Sequence, residues 1–181
     1  MQLQNYYYWF KDAIPHHVCD DIVRYAKSIQ DQMAVTGGYG DKKLNKKEVQ
    51  DLKKKRDSDI VWLNERWIYN AIHPYIHQAN RDANWNFQWD FSESCQFTKY
   101  KKGQYYDWHC DSWDRAYHKP EEPNTHGKQR KLSVTLSLSE DKDYSGGELE
   151  FDMRNQDPDK KANTHVLKEI RSKGSLVVFP S

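Results

Sequence analysis

Leu132-Ser133-Val134-Thr135-Leu136-Ser137-Leu138 puts an apolar side chain at every even position and a hydroxyl at every odd one. That two-residue period predicts a strand with one buried face. Other segments on either side follow the same rule. Upstream, Trp85, Phe87 and Trp89 alternate with polar residues, and Ser94–Tyr100 reads as a strand. Lys102-Gly103 then makes a turn, and Tyr105–Asp111 reads as a further strand. Downstream, Ser145-Gly146-Gly147 is a turn before the short alternating strand Glu148–Phe151. Lys173-Gly174 leads into Leu176-Val-Val-Phe179, a continuous apolar run that predicts a strand buried on both faces. Residues 112–130 and 152–164 are polar, without periodicity, and read as loops.

The N-terminal part reads differently. Val18, Ile22, Ala26 and Ile29 recur at helical spacing after Pro15, which predicts an amphipathic helix over about 15–31. Gly37-Gly38-Tyr39-Gly40 ends it in a loop. Residues 41–56 carry eight Lys or Arg against three acids, the pattern of a solvated loop or short surface helix, with a substrate-guiding lid as the functional alternative. Asp59–Leu63 is a short apolar strand, and a second helix follows over about 64–81, with Pro74 expected to kink or unwind it. Helices first and short strands after predict an α+β domain, a barrel or double-sheet sandwich buttressed by N-terminal helices.

The 181 residues form one expected domain, helical over 1–84 and β over 85–181. The net charge of +1 gives no global case for nucleic acid or an anionic membrane. Mean hydropathy is −1.10, so the core must lean on 7 Trp, 12 Tyr and 6 Phe. No apolar stretch reaches spanning length, and the first residues lack a signal-peptide pattern. Three cysteines at unrelated spacings read as reduced thiols, which with the missing leader predicts a cytoplasmic protein.

The chemistry gathers at His109-Cys110-Asp111. On a strand, His109 and Asp111 would project to one face with Cys110 pointing away. One imidazole and one carboxylate side by side are two of the three protein ligands of a mononuclear non-haem iron site, which keeps open positions for a co-substrate and O₂. A lone His-x-Asp is a weak signal, and its surroundings decide its meaning.

Four ordered segments supply that setting: Gln96-Phe-Thr-Lys-Tyr-Lys-Lys-Gly-Gln-Tyr-Tyr-Asp-Trp-His109-Cys-Asp111, Arg130-Lys-Leu-Ser-Val-Thr-Leu-Ser-Leu-Ser139, Gly146-Gly-Glu-Leu-Glu-Phe151 and Gly174-Ser-Leu-Val-Val-Phe-Pro-Ser181. Together they resemble the Fe(II)/2-oxoglutarate dioxygenase superfamily, above all the prolyl 4-hydroxylase-like oxygenases of bacteria and their viruses. Ala79–Phe87 extends the likeness more weakly upstream. The resemblance implies a double-stranded β-helix (jelly roll), Fe(II) and 2-oxoglutarate as cofactor and co-substrate, and ascorbate as an accessory. It implies hydroxylation of an unactivated C–H, in a prolyl or other residue of a peptide or protein, with release of succinate and CO₂.

By the same resemblance, His109 and Asp111 match the first two iron ligands, and Tyr100 matches a tyrosine lining the 2-oxoglutarate pocket. Ser137, with Thr135 beside it on the same face, matches a hydroxyl near the distal carboxylate of 2-oxoglutarate; for both, the solvent face of a barrel strand is an equal reading. Trp108 is expected to pack behind the ligand strand, and Trp108, Trp113 and Tyr117 flank the site as holders of a peptide prolyl ring. The third ligand, a distal histidine, and a basic residue for the 2-oxoglutarate carboxylate are expected beyond Ser181, with the last strands. His118, His126 and His165 all lie off that position.

Two rival readings stand beside this one. A superfamily oxygenase acting on nucleic acid or a small molecule would want a basic groove, yet outside 41–56 acids slightly outnumber bases. A jelly-roll binding module without chemistry would need no third ligand.

Overall fold

A computed structural model describes residues 6–34, 44–154 and 161–181. The Gly37–Gly40 loop and part of the Lys-rich and 152–164 segments lie outside the described residues. In chain order the elements are β1 (Tyr8–Phe10), α1 (His16–Ser28), β2 (Gln32–Met33), α2 (Lys46–Lys53), β3 (Arg56–Asp57), β4 (Asp59–Leu63) and α3 (Arg66–Asp82). They continue as β5 (Cys95–Lys99), β6 (Tyr105–Tyr106), β7 (Leu132–Leu136), β8 (Glu150–Asp152), β9 (Thr164–Val166) and β10 (Leu176–Pro180). All described strand pairings are antiparallel, so the protein mixes helices with antiparallel sheets.

The chain divides into two compact units. The first takes the described residues of Met1–Asp21, Arg66–Ser92 and Cys110–Ser181. Its centre is β10, flanked by β1 and β7. Leu176, Val177 and Val178 are all 0 % exposed. Leu176 and Val178 pack with Ile76 and Ala79 of α3 and with Leu132, Val134 and Leu136 of β7. Val177 faces the other way, into a cluster with Tyr7, Met153, Leu167 and Ile170. A strand covered on both faces has no polar face to alternate, hence the unbroken apolar run. The β8–β9 pair adds Phe151, which stacks on Tyr7 at 5.5 Å and meets Phe179 edge-on at 4.9 Å.

Three expectations fail in this unit. Trp85, Phe87 and Trp89 do not form a strand, because Asn84 and Asn86 take left-handed φ values of 58° and 52°. The Asn80 amide bridges from α3 instead, donating to the Phe87 carbonyl (2.8 Å) and accepting the Phe87 N–H (3.0 Å). Trp85 and Trp89 still bury their rings against α3 and β10, so the alternation marked burial without marking a strand. α3 runs without interruption through Pro74, so of the kink or unwinding expected there the unwinding is absent. β7 ends at Leu136, leaving Ser137 and Leu138 beyond it.

The second unit takes the described residues of Ile22–Glu65 and Glu93–His109. β4 lies between β2 and β5, burying Ile60, Val61 and Leu63 and leaving Trp62 47 % exposed. β3 pairs with β6, Arg56 opposite Tyr106 and Asp57 opposite Tyr105. Within the Lys-rich segment α2 starts at an Asn45 capping box: the Asn45 side chain accepts from the Lys47 and Glu48 N–H groups, and Glu48 accepts from the Asn45 N–H. No described helix is long and apolar enough to cross a membrane.

Candidate active site

The expected ligand strand over 105–111 shrinks to the two residues of β6. Residues 107–111 are irregular, so a shared strand face is not what aims His109 and Asp111. His109 belongs to the second unit and Asp111 to the first, and each has its own local support.

His109 is exposed, with its ring stacked on Tyr106 at 3.6 Å and 16°. Its Nδ1 lies 2.7 Å from the Asp107 carbonyl oxygen. A carbonyl only accepts, so Nδ1 carries the proton and Nε2 carries the lone pair that can bind a metal. Asp107 is itself fixed: its N–H donates to Lys55 O (2.8 Å), and its Oδ1 accepts from the Trp108 N–H (2.8 Å). Trp108 is 55 % exposed and does not pack behind the ligand segment as expected.

Behind Tyr106 lies a buried group that the sequence reading left in the Lys-rich run. Arg56 is 5 % exposed, with its guanidinium 4.4 Å from the centre of the Tyr106 ring. Its Nε donates to Ser58 Oγ (3.2 Å), and Ser58 is 1 % exposed. Ser58 also neighbours the phenol of Tyr100, which follows β5. Burial pushes the Tyr100 phenol up from its ordinary value, against the Arg56 charge, so it is a protonated donor at neutral pH. The Tyr100 side chain as a whole stays 51 % exposed while its hydroxyl reaches the buried serine. The missed signal was Arg56-Asp57-Ser58-Asp59-Ile60, where the even positions Arg56, Ser58 and Ile60 all turn inward.

Asp111 is half-buried, and its backbone carbonyl accepts from Arg130 Nη1 at 2.7 Å. Ser112 Oγ reaches Arg130 O (3.2 Å), and Gln129 Nε2 reaches Trp113 O (2.6 Å). The carboxylate's backbone is thereby stapled to the residues that lead into β7. After it, Trp113, Arg115, Ala116, Tyr117 and His118 line a cleft of ≈ 450 Å³.

Thr135 lies on β7 opposite Val177 and is half-buried. The Ser137 hydroxyl has close partners, the Ser139 carbonyl (3.4 Å) and the Tyr144 phenol. Of the off-position histidines, His165 Nε2 meets Tyr7 Oη at 3.0 Å, and His126 Nδ1 accepts from the Lys119 N–H at 3.1 Å, with its ring 5.5 Å from that of His118. Among the described residues, no group of three or more His, Cys, Asp or Glu is placed to hold a metal ion.

An imidazole with its proton pinned on Nδ1 suits a divalent iron, as does a carboxylate with a fixed backbone. The family comparison gives this donor pair its context: residues 95–181 match the 2OG-Fe(II) oxygenase superfamily. The matched segment contains His109, Asp111, Tyr100, Arg130, Thr135 and Ser137, whereas Arg56 and Ser58 lie before it. No curated protein matches the chain. Among solved structures, a viral collagen prolyl hydroxylase from Paramecium Bursaria Chlorella virus-1, in complex with 2OG, is 18 % identical. It aligns with a TM-score of 0.60 over 97 % of this chain and 77 % of its own. A Pseudomonas putida prolyl-4-hydroxylase is 19 % identical, with a TM-score of 0.61 over 99 % of this chain and 83 % of its own. At such identity the likeness is one of fold.

Proposed function

We propose that this chain is an Fe(II)- and 2-oxoglutarate-dependent dioxygenase that hydroxylates an unactivated C–H of a prolyl residue in a peptide or protein. The domain is read as one jelly roll buttressed by its helices. The observation that carries the reading is the fixed tautomer of His109, with Nε2 presented as a ligand inside a segment of the oxygenase superfamily. When bound, iron with 2-oxoglutarate and O₂ supplies the oxidative decarboxylation and the hydroxylation.

The residues of the chain have positioning tasks. His109 and Asp111 supply the imidazole and carboxylate ligands; the Asp107 carbonyl and the Tyr106 ring hold the first, and Arg130 holds the backbone of the second. No residue here is assigned as the third ligand. Tyr100, Thr135 and Ser137 line the co-substrate pocket in this reading, with the Ser137 hydroxyl already engaged locally. The cleft at Trp113, Tyr117 and His118 offers aromatic walls to an extended proline-bearing segment, in keeping with the prolyl hydroxylases of like fold. Three cysteines outside any disulfide among the described residues accord with a reducing, cytoplasmic setting.

The test is anaerobic titration of Fe(II) with and without 2-oxoglutarate. A charge-transfer absorption that appears only with both, and vanishes in His109→Ala, is the expected result. Its absence from the wild-type protein refutes the oxygenase reading and favours a binding domain. Succinate release with proline-containing peptides tests the substrate class, and preference for nucleobases or small acids overturns the prolyl assignment.

A further inference from the structure

We propose that Arg56, together with Ser58 and Tyr100, forms a carboxylate-binding pocket beside His109. Arg56 Nη2 is buried and has no hydrogen-bond partner among the described residues. No ion pair to the guanidinium is found there, and the acids near it in the chain are engaged elsewhere. Asp57 Oδ1 takes Gln104 Nε2 (3.2 Å) and lies 3.5 Å from Lys53 Nζ, and Asp59 Oδ2 pairs with Lys101 Nζ (2.7 Å). An always-charged guanidinium held out of water with an unused donor is costly, and it calls for an acceptor that the ligand-free chain does not supply.

The surrounding hydrogen bonds favour an anion in that role. Arg56 Nε–H donates to Ser58 Oγ, and the phenol of Tyr100, held protonated at neutral pH by burial, lies at the same serine. A planar guanidinium N–H and a phenol O–H are two donors of the kind that grip the two oxygens of a carboxylate. Nη2 has no accessible surface of its own, and the half-buried Tyr106 ring lies over the guanidinium. A carboxylate therefore enters as Tyr106 swings aside, which would couple occupancy of the pocket to the ring stacked on His109.

The source of the carboxylate is either 2-oxoglutarate or an acidic group of the molecule to be oxidised. Only the choice of the first probe rests on the oxygenase reading. The protein, stripped of metal and dialysed free of chelator, is titrated calorimetrically, at constant ionic strength, with 2-oxoglutarate, with succinate, and with a proline peptide bearing either a free or an amidated C-terminus. Binding of the two dicarboxylates assigns the pocket to the co-substrate, whereas preference for the free-acid peptide over its amide assigns it to the substrate. In either case Arg56→Gln should weaken the binding about 10- to 100-fold, the worth of a charge-assisted hydrogen bond. Ser58→Ala should weaken it less. If Arg56→Gln does not fold, Arg56→Lys keeps the charge, loses the planar fork, and should still weaken binding severalfold. The proposal is overturned if the wild-type protein binds no carboxylate, or if the variant that folds binds as well as wild type; water would then satisfy Nη2. Because no metal is present, this outcome is independent of the Fe(II) titration that tests the oxygenase reading.

Discussion

Replacing Gly174 with alanine should destabilise the first unit more than any other single-methyl insertion at its turns. Gly174 sits at φ +82° just before β10. A Cβ there would fall far inside contact distance of the Ile14 carbonyl oxygen and 3.4 Å from its carbonyl carbon. The left-handed backbone alone costs a non-glycine residue about 1–2 kcal/mol. The clash is with backbone, so Ile14 must retreat, and its N–H bond to Gly174 O (3.0 Å) is strained or lost, adding about 1 kcal/mol. Ile14 is itself 1 % exposed, and moving it uncovers part of a side chain whose full burial is worth about 1.5–3 kcal/mol. The sum is about 3–5 kcal/mol against a total stability on the order of 5–15 kcal/mol. Gly146→Ala is the control: φ is +76° with nothing within 4 Å, so only the backbone cost of about 1–2 kcal/mol applies. Urea unfolding followed by tryptophan fluorescence measures both variants. If Gly174→Ala loses no more than Gly146→Ala, the close approach to Ile14 does not constrain the fold and the reasoning is wrong.

Asn45→Ala removes the side-chain acceptor of the α2 capping box, which takes the Lys47 and Glu48 N–H groups, and should cost about 1 kcal/mol locally. Amide hydrogen exchange in Lys46–Lys53 should then quicken about fivefold relative to wild type, and unchanged exchange would show that tertiary contacts hold the helix. His73 tests the acid side of stability. Burial, then the nearby His77, hold its imidazole below the ordinary value; its Nε2 meets Ser92 Oγ at 3.0 Å, and its ring packs against Trp89 and Tyr69. A depressed folded value means that the unfolded chain takes the proton first. The contribution is therefore present above about pH 6.5 and is lost as pH falls through the folded value. His73→Gln should flatten the loss of unfolding free energy between about pH 7 and 5; equal slopes in the two proteins would contradict the shift.

The elements legible in the sequence are those whose pattern is written in their own residues. The Leu176–Phe179 run comes out as an expected strand because burial on both faces leaves an unmistakable apolar string, and Asp59–Leu63 because Ile60, Val61 and Leu63 are buried in succession. β1 and β9 were not legible. Each has three residues and exists through its partner, β10 for one and β8 for the other, and register between distant segments leaves no local trace. The segment from Trp85 to Trp89 shows the opposite failure: alternation reported which side chains are buried, while two left-handed asparagines set the backbone. In the site, His109 was legible as a residue type with suggestive neighbours, but not as a strand residue. What orients it is a bond from its own ring to the carbonyl two residues back, made possible by the irregular backbone that the strand reading excluded.

Arg56 was hidden for a different physical reason. Lys53-Lys54-Lys55-Arg56 looks like one solvated charge run, and the three lysines are indeed exposed. A lysine ammonium is a strongly hydrated point charge, whereas a guanidinium is planar, weakly hydrated and able to lie flat on an aromatic face. At the entry to β3, opposite Tyr106, that difference separates a residue that stays in water from one that goes in. Counting Lys and Arg as equal charges therefore hid a buried position in the run. The flat guanidinium ties the Lys-rich segment to Tyr106, Tyr106 supports the ring of His109, and the Lys55 carbonyl holds Asp107, so the run reaches the candidate centre through a buried side chain and a backbone bond.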